Sequence, residues 1–169
     1  MRRRDALFAL LPCAGPLLAQ GSVSEYYIDR EAVLSGAASV VTIQIPSAST
    51  RSLQLKFAQV WCSAGSVEVT IERDGAAATT TSVTPAKINP NAVWVPSSIA
   101  SAFHTSNVGA GTQIGIKQTA YAGNDGLKLD MTSTVLEKAS ASVRNLTFRT
   151  ASYTGTVRTY ILWEERVNL

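Results

Sequence analysis

The sequence predicts an all-β fold: a single β-sandwich or jelly-roll of about eight or nine mostly antiparallel strands, preceded by an N-terminal signal segment. Three observations carry this expectation. Apolar and polar residues alternate in short runs. Gly, Pro, Asn and Asp clusters break those runs at frequent intervals. Only two segments, Ala32 to Ala38 and Val135 to Ala141, tolerate a helix, and Gly36 and Ser140 weaken them. The chain has 169 residues, 46% apolar and 16% charged. It is too apolar for a disordered segment, and poorer in charge than the usual quarter or so. Ser and Thr fill the surface instead, a bias common in extracellular β-proteins.

Residues 1–21 read as a signal peptide. Met1-Arg-Arg-Arg-Asp5 is a basic start, Ala6 to Leu18 is an uncharged apolar run, and Ala19-Gln20-Gly21 offers small residues for cleavage. The run is too short to span a bilayer, and Pro12 and Pro16 oppose a stable membrane helix. A buried N-terminal helix is the competing reading, but such a helix should show one polar face and this run has none. Arg3-Arg4-Asp5-Ala6-Leu7 resembles a twin-arginine export signal, and Leu10-Leu11-Pro12-Cys13 resembles a lipobox. Export predicts a secreted, periplasmic or cell-surface location, in a bacterial setting. No later apolar stretch is long enough to cross a membrane as a helix. Without the leader one cysteine remains, Cys62 at the end of an apolar run. It reads as a buried inert thiol, with pairing between chains as the alternative.

Residues 22–169 read as one domain. Val40 to Ile45 is β-branched and stops at Pro46. Leu53, Leu55 and Phe57 alternate with polar residues, then Val60 and Cys62 continue in the opposite phase, which predicts a bulge near Phe57-Ala58. Ser63-Ala64-Gly65 reads as a hairpin loop. Val67, Val69 and Ile71 alternate with Glu68, Thr70 and Glu72, and Arg73-Asp74-Gly75 is a turn signal. Thr79 to Thr84 is a candidate strand, Pro85 to Pro96 a long loop, and Ser97 to Phe103 a helical turn or irregular crossing. Gly109-Ala110-Gly111 is a break. Ile114 to Ala122, the Gly123-Asn124-Asp125-Gly126 turn, and the alternating Leu127, Leu129 and Met131 predict a hairpin. Leu146 and Phe148 lie in a strand and Gly155 marks a turn. From Val157 to Glu164 apolar residues occupy both faces, which predicts a central strand or a subunit contact.

The net charge of +3 and pI of about 9.0 invite a nucleic-acid reading. Removing Arg2, Arg3, Arg4 and Asp5 leaves 12 basic and 11 acidic residues, a net of +1. The remaining cations are scattered, without the cluster that counterion release requires. No nucleic-acid partner is expected.

No catalytic, metal or cofactor residue is assigned from the sequence. His104 is the only histidine, too few for a zinc site with one mature cysteine. It reads as a solvated or hydrogen-bonded loop residue, since no nucleophile elbow accompanies it. Glu68 and Glu72 stand about 13 Å apart along one strand, beyond a hydrolytic pair, and read as a solvated face. Asn124, Asp125 and Asp130 offer oxygens for calcium but lack the full loop pattern. Gly109 to Gly115 has the wrong spacing for a phosphate loop. Asn145-Leu146-Thr147 is a glycosylation sequon only by form.

Aromatic residues supply the contact candidates. Trp61 and Trp163 fall within strands and read as core. Trp94 in the Pro-rich loop, with Tyr121 and Tyr153, are the candidate ligand or interface contacts. Val67 to Gly75 and Asn107 to Thr112 resemble segments of jelly-roll domains of phage tail and decoration proteins. That resemblance implies a structural, self-assembling role and carries over no functional residue. The expectation is therefore a non-enzymatic structural or interaction protein that partners itself or a surface protein. A secreted carbohydrate-binding module, with a glycan partner, is the alternative.

Overall fold

The computed structural model describes residues 23–75, 81–89, 97–105, 109–129, 136–138 and 140–167. The proposed signal segment, Trp94, Asp130 and Met131 lie outside them. The described residues form ten strands and no helix: β1 (Val23–Ile45), β2 (Arg51–Cys62), β3 (Ser66–Arg73), β4 (Thr81–Ser82), β5 (Ala86–Lys87), β6 (Ala100–Phe103), β7 (Thr112–Tyr121), β8 (Leu127–Lys128), β9 (Leu136–Lys138) and β10 (Arg144–Val167). All pairings are antiparallel and the sheet is open.

Two strands organise the molecule. β1 and β10 pair from Val23↔Arg166 to Ile45↔Arg144, and different neighbours flank the two ends of this ribbon. At one end β5 adds to β1, while β2 adds to β10 and carries β8 and β9. At the other end β6 adds to β1 with β4 outside it, and β3 adds to β10 with β7 outside it. The join is marked by register shifts at Gly36/Ala38 and Ser39/Val41. Each shift inserts chain on one strand, and facing changes with it. Tyr26, Ile28, Ala32 and Leu34 are the buried side before the join, and Val41, Ile43 and Ile45 after it. One apolar cluster draws on both ends, from Ile161 and Trp163 to Leu146, Phe148 and Val69.

Ala32 to Ala38 is therefore strand and not helix: the β10 partner overrides a weak local preference. Val135 to Ala141 likewise contains strand β9, and β6 occupies Ala100–Phe103 where an irregular segment was expected. The expected bulge is present but sits at Lys56, because Leu162 pairs Phe57 while Trp163 pairs Leu55. Leu53 and Leu55 before it and Ala58, Val60 and Cys62 after it are all buried as a result. Ser63-Ala64-Gly65 is not a hairpin loop, since β2 and β3 each pair β10 and not each other, but Gly65 does take the left-handed conformation at φ 57° in that connection. Gly155 is not a turn. It lies inside β10 at φ 141°, where a Cβ would meet the Tyr153 hydroxyl at 2.9 Å and Ser63 Oγ at 3.0 Å. The β7–β8 hairpin is also corrected: β7 pairs β3, and β8 crosses to pair β2 at Gln59 and Val60.

Candidate interaction face

The pleat sends odd-numbered residues of the first part of β1 to the side opposite the core. The register then builds rows across β1, β10 and β2. Tyr27 aligns with Leu162 and Phe57, Asp29 with Tyr160 and Gln59, and Glu31 with Arg158 and Trp61. Tyr27, Phe57, Trp61, Tyr160 and Leu162 are all half-buried. The rings pack on one another. Tyr27 and Tyr160 stack at 5.6 Å between centroids, and Phe57 meets Tyr160 edge-on at 6.0 Å. Burial and the neighbouring Tyr27 and Asp29 raise the Tyr160 pKa, so its hydroxyl stays neutral.

Charges on this face are paired within it. Arg158 donates through Nε and Nη2 to the two Asp29 oxygens at 2.8 and 2.5 Å. Its guanidinium also lies 5.5 Å from the Trp61 ring, a cation–π arrangement. That hydrogen bond is the main cause that holds the Asp29 carboxyl below its ordinary pKa. Glu164 binds Lys56 at 2.9 Å and also Arg166. Burial alone would raise the Glu164 pKa, but these cations outweigh it and the carboxyl titrates low. Trp61 is thus not core. Its indole is held from the other strand connection by Gly126 at φ 87°, whose Cβ would fall 2.4 Å from Trp61 Nε1. Asp125 contributes its backbone oxygen to Gln59 Nε2 at 2.5 Å, so the Asn-Asp-Gly turn serves packing against β2.

The other sequence candidates are dispersed. Tyr121 is 57% exposed at the end of β7. Tyr153 is buried, and its hydroxyl donates to Ala64 O at 2.9 Å and accepts from Ala64 N at 3.1 Å. His104 is 2% exposed, so it is an interior residue and not a solvated one. Burial lowers its pKa and keeps it neutral. Glu72 is also buried, correcting the solvated-face reading: it is ion-paired with Arg149 and accepts from Gly111 N, both at 2.9 Å. Glu68 binds Lys117 at 3.1 Å. Gly75 and Gly111 exist for close backbone approach, since a Cβ on Gly111 would lie 2.3 Å from Arg73 O. Asn145 is buried with Nδ2 donating to Gly75 O. Cys62 is buried with Sγ 3.6 Å from Ala120 O.

Sequence reasoning missed the outer aromatic face. The one available signal was the doubly apolar run from Val157 to Glu164, which puts apolar residues on the second face as well as in the core. Among the described residues no group of three or more His, Cys, Asp or Glu side chains converges on a point, and no helix is long and apolar enough to cross a membrane. Comparison of the chain with known protein families, with curated proteins and with solved structures finds no match.

Proposed function

We propose that the chain is an exported, non-enzymatic structural or interaction protein that associates with itself through the outer face of β1, β10 and β2. The observation that supports this is the ring cluster Tyr27, Phe57 and Tyr160 beside Leu162, flanked by charges that already have partners in the face. A second copy brings the same prepaired charges, so contact leaves few ions newly unpaired. Three strands by about ten residues cover about 15 by 33 Å. That is about 500 Å² per copy, the lower bound for a biological contact, which fits reversible assembly of many copies. In this reading the sheet folds on itself as a sandwich or jelly-roll, which the shared apolar cluster and the Cys62–Ala120 contact between β2 and β7 favour.

Glycan binding is the second reading, favoured by a hollow of about 260 Å³ beside Trp61, lined also by Glu31, Ser63, Thr156 and Arg158. The ring packing weighs against it. Sugars stack on open ring faces, and here Tyr27 and Tyr160 cover each other while Arg158 lies over Trp61. Sedimentation velocity across about 1 μM to 1 mM tests the proposal. Concentration-dependent association is expected, weakened at least about tenfold in Phe57→Ser/Tyr160→Ser, since buried aromatic anchors commonly contribute about 2 kcal/mol or more. A strictly monomeric protein overturns it.

A further inference from the structure

The edge of β1 carries a gap. β5 covers Tyr26 and Tyr27, β6 begins at Val41, and among the described residues no strand pairs with the intervening edge. The direction of its backbone groups follows from one bond. Ile88 N donates to Glu25 O at 3.2 Å, so Glu25 faces the edge. In an antiparallel ladder the facing alternates, and the β1–β10 register is unbroken from Val23 to Gly36. Asp29, Glu31, Val33 and Ser35 therefore direct their N–H and C=O outward.

Side chains on this edge are unevenly placed. The charges Asp29, Arg30 and Glu31 lie at one end, and the small residues Ser35, Gly36 and Ala37 at the other. Between them Val33 is 73% exposed, the highest value among the exposed large hydrophobic side chains described. Arg30 shares the inner row with the buried Thr159 and Val60, yet is itself exposed at the edge. An inward-facing charge of this kind normally discourages indiscriminate edge pairing.

We propose that this edge pairs with the same edge of a second copy, antiparallel, about a two-fold axis at Val33. In that register Val33 faces Val33 of the second copy, Glu31 faces Ser35, Arg30 faces Gly36 and Asp29 faces Ala37. Every charge meets a small residue. Registers centred at Arg30 or Glu31 place like charges directly opposite, which is destabilising, so the charges disfavour those registers as well as blunt the edge. Arg30 with Gly36 is the last pair inside the unbroken β1 register, and Ala37 opposite Asp29 sits at its break. The occupant is a second copy because the complementarity lies within one segment read against its own reverse, the requirement of an isologous contact. The edge of β7 offers no equivalent: Gly115 at φ 78° and the β3–β7 register shift interrupt it. Edge pairing would join the outer faces of two copies into one six-stranded surface. It rests on the self-association proposed above and adds a second, independent contact to it.

Val33→Pro removes an outward N–H that β10 does not use, and proline is tolerated at such edge positions. It should retain the wild-type circular dichroism and weaken dimerisation at least tenfold. Val33→Cys should give a disulfide-linked dimer on mild oxidation above the wild-type background, because directly opposed Cα atoms stand about 5.5 Å apart. Ser35→Cys should not, since its symmetry mate is about 14 Å away by the same geometry. Equal crosslinking by both cysteines overturns the inference, as does a Val33→Pro protein that dimerises like wild type. If dimerisation survives Val33→Pro but fails in Phe57→Ser/Tyr160→Ser, the edge is refuted while face association stands. A wild-type protein that never associates refutes both.

Discussion

Single residues in this protein are set by where the β1–β10 ribbon places them, and His104 shows this best. It follows β6, its N–H donates to Val40 O at 3.1 Å, and its side chain is interior. Burial disfavours the imidazolium, so the folded-state pKa lies below the unfolded value of about 6.5. The sign follows from linkage: where the unfolded chain binds the proton and the folded chain does not, stability rises with pH. Above about pH 6.5 His104 adds no pH dependence. As pH falls below that, the protein loses stability until the folded-state pKa is reached. Thermal melts from pH 7.5 to 5.5 should show a falling Tm in the wild type and a flatter profile in His104→Gln. Equal slopes would show that His104 does not titrate differently on folding. Local sequence could not reveal this burial, because Ala102-Phe-His-Thr-Ser106 reads as a loop and the Val40 carbonyl that holds His104 N–H lies on β1, far off in sequence. Trp163 was legible as core and is fully buried. Trp61, in an equally strand-like run, reads as core by residue type, yet Val60 and Cys62 on either side already place it on the opposite face.

That bulge is the informative feature at the scale of elements. The phase change between Leu55 and Ala58 is visible in the sequence, and the structure places the extra residue at Lys56. Beyond it Ala58, Val60 and Cys62 face inward and Phe57, Gln59 and Trp61 outward. Deleting Lys56 should leave a regular ladder with that facing kept, because Leu55 and Phe57 become consecutive opposite Trp163 and Leu162. Cooperative unfolding should therefore survive the deletion. Lys56→Ala keeps the residue count and loses only a partly exposed ion pair with Glu164, a cost on the order of 1 kcal/mol. Urea melts of the two variants check this: a deletion that unfolds without cooperativity while Lys56→Ala does not would mean that the extra residue is needed for the facing. The alternation in Val67 to Ile71 was equally readable, because one face is core and the other open. β1 was not, since Ala32 to Ala38 lacks β-branched residues over most of its length and is strand by virtue of its partner. The pairing of β8 with β2 was hidden for the same reason. A turn signal names a reversal of the chain and leaves the next neighbour unspecified.

Across the whole molecule the decisive contact joins the two ends of the described chain. Val23 pairs Arg166, and the Thr42–Thr147 hydroxyl bond at 3.1 Å spans 105 residues. β10 lies between β1 and both β2 and β3, so neither flank is complete until its distant segment arrives. Closing a loop of this size costs about 4 kcal/mol in chain entropy beyond a constant term, and folds dominated by such pairings refold in about milliseconds to seconds. The adjacency of Val23 and Arg166 gives a direct test. Joining residue 167 to residue 23 through a short turn and opening the chain between Gly123 and Asn124, both exposed, converts the β1–β10 pairing into a local hairpin. Every native pairing is retained, but the longest closure disappears. Stopped-flow refolding of this permutant should be faster than the parent by about tenfold or more, with unfolding little changed, since lowering that entropy acts on the folding limb. An unchanged refolding rate would place β1–β10 pairing after the rate-limiting step, and the β3–β7 pairing would then be the nucleus on which the long ribbon assembles.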